Sequence, residues 1–197
     1  MRSVRETVTF LEMTSPDQLA PGRPAPAPID LEEVGPDGSS LLRDVYVRIA
    51  AAIGWAGRSA WSDQQWKHEL SRPEVRTWVA RVGDEVAGLL ELEADPERNV
   101  GIVIFGLLPE FLGKGFGGAF LTSGTRLAWQ MVSPSGTPTE RVWVETSSRD
   151  HPHALPNYEK RGFRTFRTGL PARPDEPEPS RTGEDSSKDL ADRGANG

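Results

Sequence analysis

Apolar and polar residues alternate along Thr7-Val-Thr-Phe-Leu-Glu-Met13, a two-residue period that predicts an opening β-strand. The period is then lost. From Pro16 to Pro36 prolines recur, and the pattern predicts a segment lying extended over the domain surface. A helical period follows, with Ser39 or Ser40 as candidate cap and Leu42, Val45, Tyr46, Ile49 and Ile53 on one face. Trp55 to Trp61 reads as a loop. Ser62-Asp-Gln-Gln65 is a capping-box pattern that starts a short second helix, stopped before Pro73.

Two apolar runs, Val75 to Val82 and Val86 to Glu93, flank Gly83-Asp84 and predict a hairpin, which Val100 to Leu107 extends as a third strand. Phe116, Phe120, Ser123, Leu127 and Met131 mark one face of a long helix. Past the turn Pro134-Ser-Gly-Thr-Pro138, Arg141 to Thr146 predicts another strand. A short helix from Ala154 to Arg161 ends at Gly162, and Phe163 to Thr168 closes the sheet. The order β, α, α, β, β, β, α, β, α, β has no internal repeat and is unlike a repeated βαβ array.

Chemistry concentrates where the strand ending at Leu107 passes through Gly113, Gly115, Gly117 and Gly118 into a helix. Bare glycine backbone and the unpartnered N–H groups of a helix start make a phosphate seat. A P-loop is excluded, because no Lys-Ser or Lys-Thr follows Gly117 or Gly118. The dinucleotide fingerprint is matched literally by Gly113, Gly115 and Gly118, and Glu145 ends the next strand where a ribose-binding acid would sit. That reading is weaker: Leu107 to Leu112 separate the strand from the first glycine, and too little chain follows for further βαβ units.

Leu112-Gly-Lys-Gly115-Phe-Gly117 resembles the acyl-CoA pyrophosphate loop of the GCN5-related N-acetyltransferase family, [QR]-x-x-G-x-[GA], with Leu112 departing at the first position. Ala154-Leu-Pro-Asn-Tyr158-Glu-Lys-Arg-Gly162-Phe163 is similar to the same family's A-x-x-x-Y-x-x-x-G-F signature, in the expected order. The resemblance implies an α+β fold: a central, mostly antiparallel twisted sheet with a splayed acyl-CoA-binding strand, flanked by helices. It implies acetyl transfer from acetyl-CoA to a primary amine in a ternary complex. By the same resemblance the pantetheine arm lies along backbone groups near Phe105, Gly106, Leu107 and Leu108. Phosphate contacts fall on Leu112, Gly113, Lys114, Gly115, Phe116, Gly117 and Gly118. His151 stands where the family often has Asn, and with Asn157 it completes the implied cofactor contacts.

Tyr158 occupies the position of the family's usual general acid, and a phenol is a suitable proton donor to a thiolate. The strand Val100 to Phe105 carries no carboxylate, so Glu145 is the first candidate base, with Glu91, Glu93 and His151 behind it. Trp55, Trp61 and Trp66 surround the loop that covers the acceptor side in the family, where Arg58, Asp63 and Lys67 are candidates for tuning acceptor choice. A noncatalytic acyl-CoA-binding module is the alternative.

Composition narrows the classes. Hydrophobic residues are 36% and charged residues 26% of the 197, so the folded part is expected to be smaller than the chain. Residues 171–197 hold four prolines and seven acids against four bases, a net −3 out of the chain's −6, and are expected to form a disordered acidic tail. Residues 1–38 are read as strand and extended segment packed on the domain, and 39–170 as the domain itself. Without cysteine there is no disulfide, thiolate zinc site or acyl-cysteine. Three histidines without matching carboxylate spacing give no recognised metal site, so none is expected. No signal peptide or membrane span is read, a cytoplasmic location is expected, and the net charge argues against nucleic acid. A small-molecule or protein amine is the expected acceptor. A homodimer is left open.

Overall fold

In the computed structural model, which describes residues 6–170, each run assigned from its period forms the expected element to within a residue or two. The strands are β1 (Val8–Met13), β2 (Asp30–Glu33), β3 (Val75–Val82), β4 (Glu85–Ala94), β5 (Asn99–Leu107), β6 (Arg141–Ser147) and β7 (Arg164–Gly169). The helices are α1 (Ser39–Ile53), α2 (Asp63–Leu70), α3 (Phe116–Gln130) and α4 (Ala154–Lys160). The fold is mixed α+β, with one seven-stranded sheet in the order β2-β3-β4-β5-β6-β1-β7. Among the described residues only β5 and β6 run parallel. The segment expected to be a disordered tail lies outside the described residues. Among the described residues, no helix is long and apolar enough to cross a membrane.

Two expectations need correction. The proline-rich segment expected to lie extended over the surface also contributes to the sheet, because Asp30–Glu33 pairs with β3 as edge strand β2. Only Leu31 in that strand is apolar, so no alternating pattern announced it. Its acids reach diagonally to arginines of β3: Glu33 holds Arg76 through two hydrogen bonds (2.8 and 2.5 Å) and Glu32 meets Arg81 at 2.6 Å. Such acids on an edge also discourage pairing with another chain. Neither serine caps α1: Gly38 is the cap residue, and Ser39 is buried as the first helical residue. The capping box of α2 forms as read, with Ser62 and Gln65 each accepting from the other's backbone N–H.

Side-chain alternation puts the helices on opposite faces. Phe105 stacks on Phe120 of α3 at 4.8 Å, while Gly106, one residue on, faces Ile49 of α1. The two faces share a core that includes Leu89, Leu90, Phe120, Leu121 and Trp66.

The functionally important break lies between β5 and β6. Their parallel ladder pairs Asn99 with Arg141 and ends at Ile102 with Val144. On the other edge of β5, Leu92 opposes Ile102 and Glu91 opposes Ile104, so Val103 is an extra residue without a partner. A bulge bends its strand and adds twist. It stands at the point where β5 leaves β6.

Past that point Glu145, Thr146 and Ser147 keep a ladder only on their outer side, to Phe10, Thr9 and Val8 of β1. The first strand of the chain therefore holds one wall of the gap. Leu11, fully buried in β1, anchors it to the core. Leu11→Ala should lower stability by about 2–5 kcal/mol in urea denaturation, and the amides of β6 from Glu145 onward should exchange faster with deuterium than those of β4.

Candidate active site

The gap opened by the bulge is a cavity of about 410 Å³ between α1, β5, the glycine loop and α4. Leu108 donates its N–H to the Ala87 carbonyl at 2.8 Å. By antiparallel alternation, Gly106 and Ile104 turn their backbone groups to β4 as well, leaving those of Phe105 and Leu107 directed at the gap. Phe105, Gly106 and Leu107 all line the cavity. Leu108 does not, and contrary to expectation its backbone is not open: its N–H is bonded to Ala87 and its carbonyl accepts from Phe111. A Cβ on Gly106 would lie 2.7 Å from Ile49 Cγ2, so glycine there lets α1 seat against the cavity floor.

At one end the chain turns through Leu112 to Gly115. Gly113 (φ 71°) and Gly115 (φ 88°) are in the left-handed region, which side chains rarely adopt. Gly115 is the N-cap of α3 and offers no side-chain acceptor, so the first-turn N–H groups stay free of a cap. Leu112, Gly113, Gly115 and Gly117 line the cavity. Three residues from the expected phosphate set lie off the lining: Lys114 is exposed, Phe116 is packed on Phe111 at 5.6 Å, and Gly118 lies against Arg161. Asn157 lines the cavity and donates its Nδ2 hydrogen to the Gly117 carbonyl (3.2 Å), fixing α4 to the start of α3.

Tyr158 stands on α4 facing the gap, 5% exposed, with its ring packed at 6.2 Å against Phe105 and 6.0 Å against Phe163. Its hydroxyl makes no hydrogen bond to any described residue. Burial, and secondarily the Asp150 carboxylate, push its pKa well above the ordinary phenol value, so it stays protonated. Glu145, exposed on β6, and His151 also line the cavity. His151 Nδ1 accepts the His153 backbone N–H at 3.3 Å.

The reserve carboxylates are elsewhere. Glu91 is fully buried beneath Arg58, whose Nη1 reaches Oε2 at 3.0 Å; Oε1 lies 2.9 Å from Nη2 in an ion pair without hydrogen-bond geometry. Burial raises the Glu91 pKa, opposed by Arg58. Glu93 pairs with Arg72. Neither lines the cavity. Arg58 also lies 4.6 Å over the Trp61 ring, and its N–H donates to the Tyr46 hydroxyl. It therefore acts as a rivet for the loop after α1, and Asp63 pairs with Arg43 on the surface. Of the three tryptophans around that loop, Trp66 is core and Trp61 meets it edge to face at 5.5 Å; only Trp55 lines the cavity.

Asp150 escaped the sequence reading. It lies in the turn between β6 and α4, where an acid ordinarily means only a turn. Here Oδ2 accepts from Thr146 Oγ1 (2.7 Å) and the Ser147 N–H (2.9 Å), and Oδ1 accepts from Trp55 Nε1 (3.0 Å). Two separate walls of the cavity are thereby joined. No local pattern carried this signal, since its partner Trp55 is far away in sequence.

The Acetyltransferase (GNAT) family matches residues 42–163. An aminoglycoside acetyltransferase from an uncultured soil metagenomic sample, solved with sisomicin, superposes with a TM-score of 0.54 at 14% identity, over 68% of this chain and 86% of that one. A GCN5-related N-acetyltransferase from Sphaerobacter thermophilus gives 0.60 at 14% identity, over 83% of this chain but only 50% of its own length. At these identities the likeness is one of fold. No curated protein matches the chain in sequence.

Because Tyr158 is one of only two tyrosines, its protonation can be followed directly. Phenolate absorbance of the native protein and of Tyr158→Phe should coincide through about pH 10–11, the ordinary phenol range. A difference step inside that range would contradict the raised pKa.

Proposed function

The chain belongs to the Acetyltransferase (GNAT) family, and from that premise we propose that it transfers an acetyl group from acetyl-CoA directly to the nitrogen of a primary amine, both held in one ternary complex. The observation that carries this reading is the meeting, around one cavity, of an uncapped glycine-rich helix start, an open strand edge and the buried Tyr158 phenol.

The residues present fit an acyl-CoA. The Gly113–Gly117 backbone and the first turn of α3 suit a pyrophosphate. The unpaired backbone of Phe105 and Leu107 suits an amide-bearing arm laid alongside as a strand would be. Acetyl-CoA supplies the activated acetyl group and a thiol leaving group. An N–C bond forms, a C–S bond breaks, the amine loses a proton and the sulfur gains one. A backbone N–H of β5 aimed into the gap polarises the thioester carbonyl.

Tyr158 holds the proton that the sulfur takes. Its raised pKa keeps the phenol protonated, so the proton is in place when the sulfur departs. Glu145, on the opposite wall, attracts the ammonium and receives its proton, directly or through water. The absence of a carboxylate on β5 favours one other reading, a noncatalytic acyl-CoA sensor.

Tyr158→Phe separates the two. An enzyme should lose about 10²–10⁴-fold in kcat at neutral pH while its affinity for CoA moves by less than roughly twofold. Gly115→Ala should do the converse, weakening CoA binding by about tenfold or more in calorimetric titration, since alanine resists the left-handed backbone that the loop needs.

A further inference from the structure

Charge in the cavity is polarised. Its lining contains two carboxylates, Glu145 and Asp150, one ammonium, Lys160, and the imidazoles of His151 and His153, which lie against each other at 5.1 Å. Helix α4 separates the carboxylates from the ammonium. The chain enters α4 just after Asp150; Asn157 touches the start of α3; Lys160 and Arg161 close the helix, with Arg161 packed against Gly118. Seven helical residues span about 10 Å. The cationic end adjoins the glycine loop. The acidic end lies away from it, against the loop that follows α1.

At that acidic end Asp150 is pre-organised. Two donors, Thr146 Oγ1 and the Ser147 N–H, fix Oδ2, and Trp55 Nε1 fixes Oδ1. All three are neutral donors, so the negative charge itself is uncompensated by them, and a carboxylate has acceptor capacity for about four hydrogen bonds. Asp150 has no ion-pair partner among the described residues. The indole of Trp55 lines the same cavity, and an aromatic ring beside a carboxylate is a constellation that favours a protonated amine.

We propose that Asp150 and Trp55 form an acceptor subsite for a second, protonated nitrogen, so that the amine acetylated here is a diamine or polyamine. The inference rests on the acyl-transfer reading above and adds the substrate class. The reacting amine loses its proton beside Glu145, while the distal ammonium keeps its charge against Asp150 and the indole. An α-amino acid, whose carboxylate would face the two acids, is disfavoured.

The test compares hexane-1,6-diamine, hexylamine and 6-aminohexanoate, which share a six-carbon chain and differ at the far end. Each is titrated calorimetrically against the full chain with and without CoA, and each is offered with acetyl-CoA for turnover. The diamine should bind and react at least about tenfold better than hexylamine, with 6-aminohexanoate last, and the preference should shrink as salt rises. Asp150→Asn should bring the diamine-to-hexylamine ratio near one. Trp55→Leu, which leaves the Thr146 and Ser147 bonds to Asp150 in place, should lower the same ratio, and CoA binding by each variant reports that its fold survives. Equal binding of the two amines, no binding of either, or a ratio retained in Asp150→Asn would overturn the subsite. Selective diamine binding without turnover would uphold the subsite and sink the transfer reading; hexylamine turnover without diamine preference would do the reverse.

Discussion

The loss of pairing between β5 and β6 past Ile102 and Val144 is the constraint on which the rest of the molecule depends. Two adjacent parallel strands ordinarily satisfy each other's backbone groups, and groups left open inside a protein carry a free-energy cost. Here one inserted residue, Val103, bends β5 away, and the strands solve the problem differently. β6 turns to β1. β5 keeps β4 on one edge and leaves the other open toward a cavity. An unfinished ladder of this kind is itself a binding element, since an amide-bearing arm laid in the gap completes it.

Much of this was legible in the sequence because it depends on local pattern. The periods of two and 3.6 located the elements, and the turn at Gly83-Asp84, the capping box at Ser62 and the glycine run before α3 fixed their junctions. Strand β2 was hidden because Leu31 is its one apolar residue and its acids meet Arg76 and Arg81 of the neighbouring strand. The bulge at Val103 was equally invisible: Ile-Val-Ile reads as uninterrupted strand, and the extra residue exists only relative to Glu91 and Leu92 opposite. For the same reason Leu108 was grouped with the open backbone positions, although its N–H pairs with Ala87.

The carboxylates show the same division. Glu91, Glu93 and Glu145 look alike on paper, each an acid in or near a strand. Tertiary contacts separate them: Arg58 takes Glu91 and Arg72 takes Glu93, while Glu145 projects where β5 has moved away. A buried acid and arginine held together this way contribute little net stability compared with apolar packing, because both charges must be desolvated. Their effect is positional. With the Trp61 ring and the Tyr46 hydroxyl, Arg58 fixes the loop that presents Trp55 to the cavity. Asp150 then has a partner to meet.

The first strand shows that the cavity depends on chain outside the segment the family model matches. The family match covers residues 42–163, whereas β1 ends at Met13 and β7 begins at Arg164. Yet β1 lies between β6 and β7, and Phe10 is the cross-strand neighbour of Glu145. The chain after β1 also returns across the site's far side: Ala20 donates to the Arg161 carbonyl, Gly22 donates to Thr122 Oγ1 in α3, and Pro26 packs beside Gly115. Wherever a gap is made by separating two strands, each wall needs support from outside the pair. For β5 the hairpin with β4 gives that support, and its turn is local in sequence. For β6 the support comes from the far end of the chain, so the wall that carries Glu145 depends on a strand that no local pattern could have placed beside it.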